Sequence, residues 1–186
     1  MLVQAHAALA LGKLGSAAVK AGVPLLHAAK TGEVSVREQA MRAIAMIQPP
    51  EAMEAFTVGL KDASTDVRVL ASAGWMNAET VPAEAIHALI DGLRDPEVRV
   101  RANVANAMAR LTIIPVEAIS LLIDCASDPN DALRRNAAMA LKQAPPEAVA
   151  EIMEHLTADP NLHVRLTAAS SLVSSEANDA NAGAVL

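Results

Sequence analysis

The chain is almost without aromatic side chains: Phe56 and Trp75 are its only two, and tyrosine is absent. A surface that stacks on unpaired bases, or a pocket with aromatic walls, is therefore not what this composition supplies. Cysteine is equally scarce. With Cys125 alone there is no internal disulfide and no thiolate cluster for zinc or iron–sulfur, which fits a reducing, cytoplasmic setting. No apolar run approaches the roughly 20 residues needed to span a bilayer, so no membrane association is expected. The opening MLVQAHAALALGKLG is apolar but lacks the basic start of a leader and reads as folded protein. The eight glycines are scattered, and no phosphate-cradling loop is formed from them.

What is abundant is aliphatic. Hydrophobic residues make up 53% of 186 positions, mostly Ala, Leu, Val, Ile and Met, and Ala and the unbranched residues are the best helix formers. A chain of this length can bury roughly 70% of its unfolded surface in one domain. Self-similarity then organises it. Val3, Val36, Val67, Val100, Leu133 and Val164 each precede Arg or Gln at the start of an Ala-rich run, at spacings of 33, 31, 33, 33 and 31. Four and eight residues past each anchor stand further apolar residues, from Ala7 and Leu11 to Ala168 and Leu172. Offsets of zero, four and eight trace one stripe of a helix.

A second motif precedes the later anchors: PPEAM at 49–53, PAEAI at 82–86, PVEAI at 115–119 and PPEAV at 145–149. Proline suits a first helical turn, where its missing N–H leaves nothing unpaired, and the Glu two positions on favours the positive end of the helix dipole. Each unit therefore reads as an outer helix, a turn and an inner helix. The turns carry Asp62, Asp95, Asp128 and Asp159, five residues before their anchors, three of them followed by Pro. Asp-Pro stops the outer helix, since the residue before proline is pushed out of the helical region. Arg37, Arg68, Arg101, Arg134 and Arg165 follow the anchors, while Thr31 takes the Asp place in the first complete unit and Gln4 the Arg place in the opening one.

Asp in the turn with Arg six positions on resembles the HEAT-repeat family, and the 31–33-residue period looks like the short HEAT-like repeats of the phycobilin-lyase type. The resemblance covers about residues 1–175. It implies an all-α fold, a right-handed α-α superhelix of about five and a half two-helix repeats, with 176–186 expected as a disordered tail. It also implies that Asp62, Asp95, Asp128 and Asp159 form a structural ladder with Arg37, Arg68, Arg101, Arg134 and Arg165. The chain opens at an inner helix, so its outer partner is expected from a longer array or from another chain.

Catalytic candidates fall away on spacing. His6, His27, His87, His155 and His163 include no pair three or four apart, so no helical metal site is built. Related di-iron hydroxylases made of such repeats use His-Glu dipeptides, and none is present. Glu51, Glu84, Glu117 and Glu147 recur because the helix start recurs. Cys125 lies in LLIDCAS with no His or basic neighbour to activate it. No enzyme activity, cofactor or metal is expected.

The remaining surface is that of the inner helices, which the resemblance places on the concave side. Positions three, six and ten past each anchor include Gln39, Arg42, Met46, Leu70, Asn77, Asn103, Asn106, Arg110, Asn136, Met139 and Gln143. Amides dominate, acids are rare, and Lys13, Arg42, Arg110, Arg135 and Lys142 stay cationic once the ladder arginines are set aside, although the whole chain carries −6. Such a face suits a protein–protein interaction scaffold or adaptor that takes a peptide of acidic character, with amides on its backbone and Met46, Leu70 and Met139 on its apolar side chains. Two readings compete. DNA or RNA binding would oppose the acidic remainder of the chain, and a lyase acting on a tetrapyrrole-bearing protein would need a pocket with polar catalytic groups. The partner's identity and the oligomeric state are not encoded in any motif.

Overall fold

The computed structural model describes residues 2–78 and 80–183. It divides into two compact units, residues 1–92 and 93–186. The first contains α1 (Leu2–Lys13), a 3-10 segment (Gly15–Ala21), α2 (Gly22–Thr31), α3 (Val34–Ile47), α4 (Ala52–Gly59), α5 (Thr65–Asn77), and a 3-10 turn (Ala83–Ala85) that runs into α6 (Ile86–Gly92). The second contains α7 (Val98–Met108), α8 (Val116–Ala126), α9 (Asp131–Leu141), α10 (Pro146–Leu156) and α11 (Leu162–Gly183). No strand occurs among the described residues.

Within the first unit α1 packs on α3 and α3 on α5, while α2 and α4 form the second layer, each against its own inner helix. The second unit repeats the plan, with α7, α9 and α11 in one layer and α8 and α10 in the other. The anchor stripes are the reason. Val36, Ala40 and Ile44, Val67, Ala71 and Trp75, Val100, Val104 and Met108, and Leu133, Ala137 and Leu141 are all buried. Val164 and Ala168 continue the pattern in α11. The stripe of α1 departs from it: Val3 is 80% exposed and Ala7 is exposed, whereas Ala8 and Gly12 on the side towards α3 are buried.

The helix starts differ in detail from the sequence reading. Pro115 and Pro145 are N-cap residues, φ −58° and −56°, just outside their helices, while Pro146 occupies the first turn. Proline's fixed φ suits both places. Residues 15–21 wind as 3-10 rather than α, starting at Gly15 in the left-handed region (φ +57°) and kinking at Ala18. That stretch has no Pro-x-Glu-Ala start. The backbone of α11 takes in residues 176–183 of the expected tail, and 184–186 lie outside the described residues.

The only two aromatic rings meet each other. Phe56 and Trp75 are fully buried, edge to face, with centroids 6.2 Å apart, a favoured geometry for such pairs. Gly74 makes this possible, because a Cβ there would come within 2.4–2.5 Å of three carbons of the Phe56 ring. In an exposed helix Gly→Ala would gain about 1 kcal/mol, but overpacking a core typically costs about 1–3 kcal/mol and dominates here. Gly74→Ala should lower the thermal midpoint, and Gly74→Ala/Phe56→Leu should recover part of the loss. Differential scanning calorimetry of the two variants beside the wild type checks the order.

Candidate functional site

Two kinds of residue were singled out by sequence, those of the turns and those of the open inner-helix face, and the structure treats them differently. In the turns the arginines and aspartates bond both within their own turn and to the neighbouring one. Arg37 donates through Nε and Nη2 to the two carboxylate oxygens of Asp62, both at 2.7 Å, and through Nη1 to the Gly32 carbonyl at 2.9 Å. Arg134 grips Asp159 in the same forked way, at 2.7 and 3.1 Å, while its Nη1 reaches the carbonyls of Asp128 and Pro129, each at 2.9 Å. Arg101 donates to Asp128 at 2.7 Å and to the Asp95 carbonyl at 2.8 Å.

Each aspartate is also a turn former. Asp62, Asp95, Asp128 and Asp159 accept the N–H two residues on, at 2.7 to 2.9 Å. This is the Asx-turn, which closes the chain locally before the next helix starts. Arg68 and Arg165 donate to the carbonyls of Asp62 and Asp159, at 3.0 and 2.7 Å. One guanidinium thus fixes its own turn and clamps the following one. Bidentate geometry of this kind combines charge with direction.

The electrostatics follow from those contacts. The Arg134 guanidinium holds the Asp159 carboxyl below the usual carboxylate range, against the opposing push of burial. Burial pushes Asp62 upward, but the Arg37 guanidinium and the Ser64 N–H outweigh it and leave this carboxyl low as well. Asp128 is lowered by the Asn130 N–H and Arg101 acting against burial. Cys125 goes the other way: burial pushes its thiol up to about 11, and its nearest acceptor is the Leu93 carbonyl at 4.0 Å. It is a protonated packing residue at neutral pH. Among the described residues no three His, Cys, Asp or Glu side chains come close enough to hold a metal ion. None of the described helices is long and apolar enough to cross a membrane.

The open face is less uniform than its spacing suggests. In the first unit Arg42 and Met46 are exposed one turn apart on α3, Met46 to 57%. Gln39 lies half-buried beside them and, with Ala5, His6, Leu9 and Ser35, lines a shallow depression of about 170 Å³ between α1 and α3. Leu70 is half-buried on α5, and Asn77 is exposed but turns its amide back on the Ala73 carbonyl at 3.0 Å. In the second unit Asn103 and Asn106 are half-buried, and Arg110, Met139 and Gln143 are exposed. Asn136 is a correction. It is buried, and its Nδ2 donates 2.8 Å to the Ala102 carbonyl, so it ties α9 to α7 instead of facing a partner. Small alanines at this contact let the two backbones come within reach of one amide, which helical spacing alone could not reveal.

The turns and their period decide the family. A model of HEAT repeats matches residues 60–142 and 119–185, and one of the PBS lyase HEAT-like repeat matches residues 3–31. The chain belongs to the HEAT-repeat family. No curated protein matches it in sequence. Several solved structures similar to this HEAT-repeat chain are engineered proteins. A computationally designed armadillo repeat protein for modular peptide recognition superposes with a TM-score of 0.72 at 20% identity, over 90% of this chain and 91% of that one. Another engineered protein gives 0.70 at 21% identity, over 93% and 90%. A designed armadillo repeat protein in complex with the peptide (KR)4 gives 0.69 at 18% identity, over 90% of each. At such identities the likeness shows the fold, an α-solenoid of helical repeats.

A depressed carboxyl contributes stability above its unfolded value, about 3.9, and that contribution fades as pH falls through the lower folded values. Urea midpoints measured from neutral pH downward should hold until about pH 4 and then fall. Asp159→Asn should start lower by about 1–3 kcal/mol and fall less steeply. Parallel curves for variant and wild type would place the acid sensitivity elsewhere.

Proposed function

We propose that this HEAT-repeat chain is a protein–protein interaction module, a scaffold or adaptor, that takes a peptide of acidic character on the inner-helix face. The observation that carries the reading is the pairing on α3 of an exposed cation, Arg42, with an exposed flexible apolar side chain, Met46, beside the depression next to Gln39. A cation and a methionine one turn apart suit a ligand that alternates carboxylates with aliphatic side chains, since methionine adapts to irregular apolar shapes. In the second unit Arg110, Met139 and Gln143 repeat the same chemistry on exposed positions.

The ladder arginines are unavailable for this role, because their donors already serve aspartates and carbonyls. The cations outside the ladder therefore set the sign of the ligand. One of the fold's engineered neighbours is solved with (KR)4, a basic peptide. On the face proposed here the exposed Arg42 would repel such a peptide and attract an acidic one.

Selection from an unbiased peptide library, with wild type beside Arg42→Glu, tests the reading. Asp and Glu should be enriched among the peptides selected by wild type, and Arg42→Glu should weaken the best of them at least tenfold, while (KR)4 binds neither detectably. A selected set without acidic enrichment would sink the proposal. So would an affinity indifferent to Arg42.

A further inference from the structure

The stacking of α1 on α3 is tight at one end and open at the other. A Cβ on Gly12 would come within 3.0 Å of the Ala43 Cα, so the two backbones touch there. Towards the N-terminal ends of both helices they leave the depression of about 170 Å³, with Ala5, His6 and Leu9 on one wall and Ser35 and Gln39 on the other. Ala5 and Leu9 supply its apolar surface, and both are only half-buried.

The equivalent place in the second unit is closed. Counted from the anchors, Ala5 corresponds to Ala102 and Gln39 to Asn136. There the Asn136 amide reaches across at 2.8 Å to the Ala102 carbonyl, and Ala102 is 9% exposed. Gln39 carries the same amide one methylene further out. It makes no hydrogen bond with another described residue and stays half-buried on the rim. Where α3 stacks on α5, and α9 on α11, the Ala5 position holds a long charged side chain, Glu38 and Arg135 respectively. Between α1 and α3 a small wall residue and an unspent amide coincide.

We propose that this depression is the specificity pocket of the face: it takes one Val, Ile or Leu side chain of an acidic peptide, two residues along from the carboxylate held by Arg42. The proposal rests on the acidic-peptide reading of the face and names the side chain selected beside the charge. Size sets the upper limit. About 170 Å³ holds roughly five or six water-sized groups of about 30 Å³, whereas a Leu side chain has four carbons and a Phe side chain seven. Spacing sets the register. The middle of the Ser35–Gln39 wall lies five residues before Arg42, or about 7.5 Å along α3. Side chains two residues apart on one face of an extended peptide stand about 6.6–6.8 Å apart. Gln39 lies between the two subsites, with donor and acceptor free for the intervening peptide group.

Capped peptides that alternate Gly and Glu, with one central Glu replaced by Xaa, set Xaa two residues from a carboxylate on either side. A fully buried CH2 is worth about fourfold in affinity, so by calorimetric titration Leu or Ile at Xaa should bind at least fivefold tighter than Ala. Phe should bind no tighter than Ala, and Leu moved by one residue, next to Glu, should lose the gain. Ala5→Leu and Ser35→Leu fill the depression from opposite walls. Each should bring the Leu peptide to within twofold of the Ala peptide, with affinity for the Ala peptide and the thermal midpoint unchanged. Arg42→Glu should instead weaken every member alike. Equal binding of all members, lost in Arg42→Glu, overturns the pocket and leaves the acidic-peptide reading standing. A Leu preference that survives both fillings, or a preference for Phe, also overturns the pocket. No binding by any member overturns both.

Discussion

A guanidinium that serves two turns at once is the interaction on which the repeat depends. Arg134 satisfies the carbonyls of Asp128 and Pro129 in its own turn and the carboxylate of Asp159 in the next, so the direction of one turn sets the position of its neighbour. Hydrophobic stripes alone would leave that relation loose. Leu133, Ala137 and Leu141 would bury equally well after a small slide along the neighbouring helices, because burial has no direction. A forked ion pair tolerates no such slide. Net stabilisation from a largely buried pair is modest once desolvation is counted, so its main contribution is register. The apolar stripes supply the energy, and the arginines decide where it is realised.

The same division explains what could be read from the sequence. The period, the six inner helices, and the Asp and Arg positions are legible because each is repeated, and repetition turns a weak local preference into a pattern. Arg37 and Asp62 stand 25 residues apart, as do Arg134 and Asp159, and both pairs close with forked geometry. Features that occur once are not legible. The Phe56–Trp75 contact depends on Gly74 being bare, and nothing in the spacing of the stripe announces it. The 3-10 winding of residues 15–21 and the burial of Asn136 are also single events, set by how closely particular backbones approach.

An inner helix in this fold has three faces with different obligations. One stripe is owed to its own outer helix and must be apolar. A second faces the next inner helix and tolerates small or charged residues, as Asp131, Ala138 and Lys142 do on α9. Only the third is unconstrained by stacking, and there the repeats diverge most: Arg42 and Met46 on α3, Met139 and Gln143 on α9. Divergence on the unconstrained face, set against sameness on the other two, would let each repeat bring its own contacts to a ligand. Asn136 marks the limit of the argument, since it lies at a nominally open offset and yet spans to Ala102.

That limit also bears on how such a surface can change. A side chain on the open face that is long enough to reach a neighbouring carbonyl, and set among alanines, can be drawn into the stack, where an amide hydrogen bond is worth about 1 kcal/mol. A cation at the same place would have to leave water to do so, at greater cost. Arg42 keeps its guanidinium in solvent, with its aliphatic stem free to lie along apolar surface. Amides on this face can therefore be spent on packing, whereas cations stay in solvent. The sign of the open surface is then a more durable property of the repeat than its hydrogen-bonding groups, and selectivity for a ligand's charge is easier to retain through substitution than selectivity for its backbone contacts.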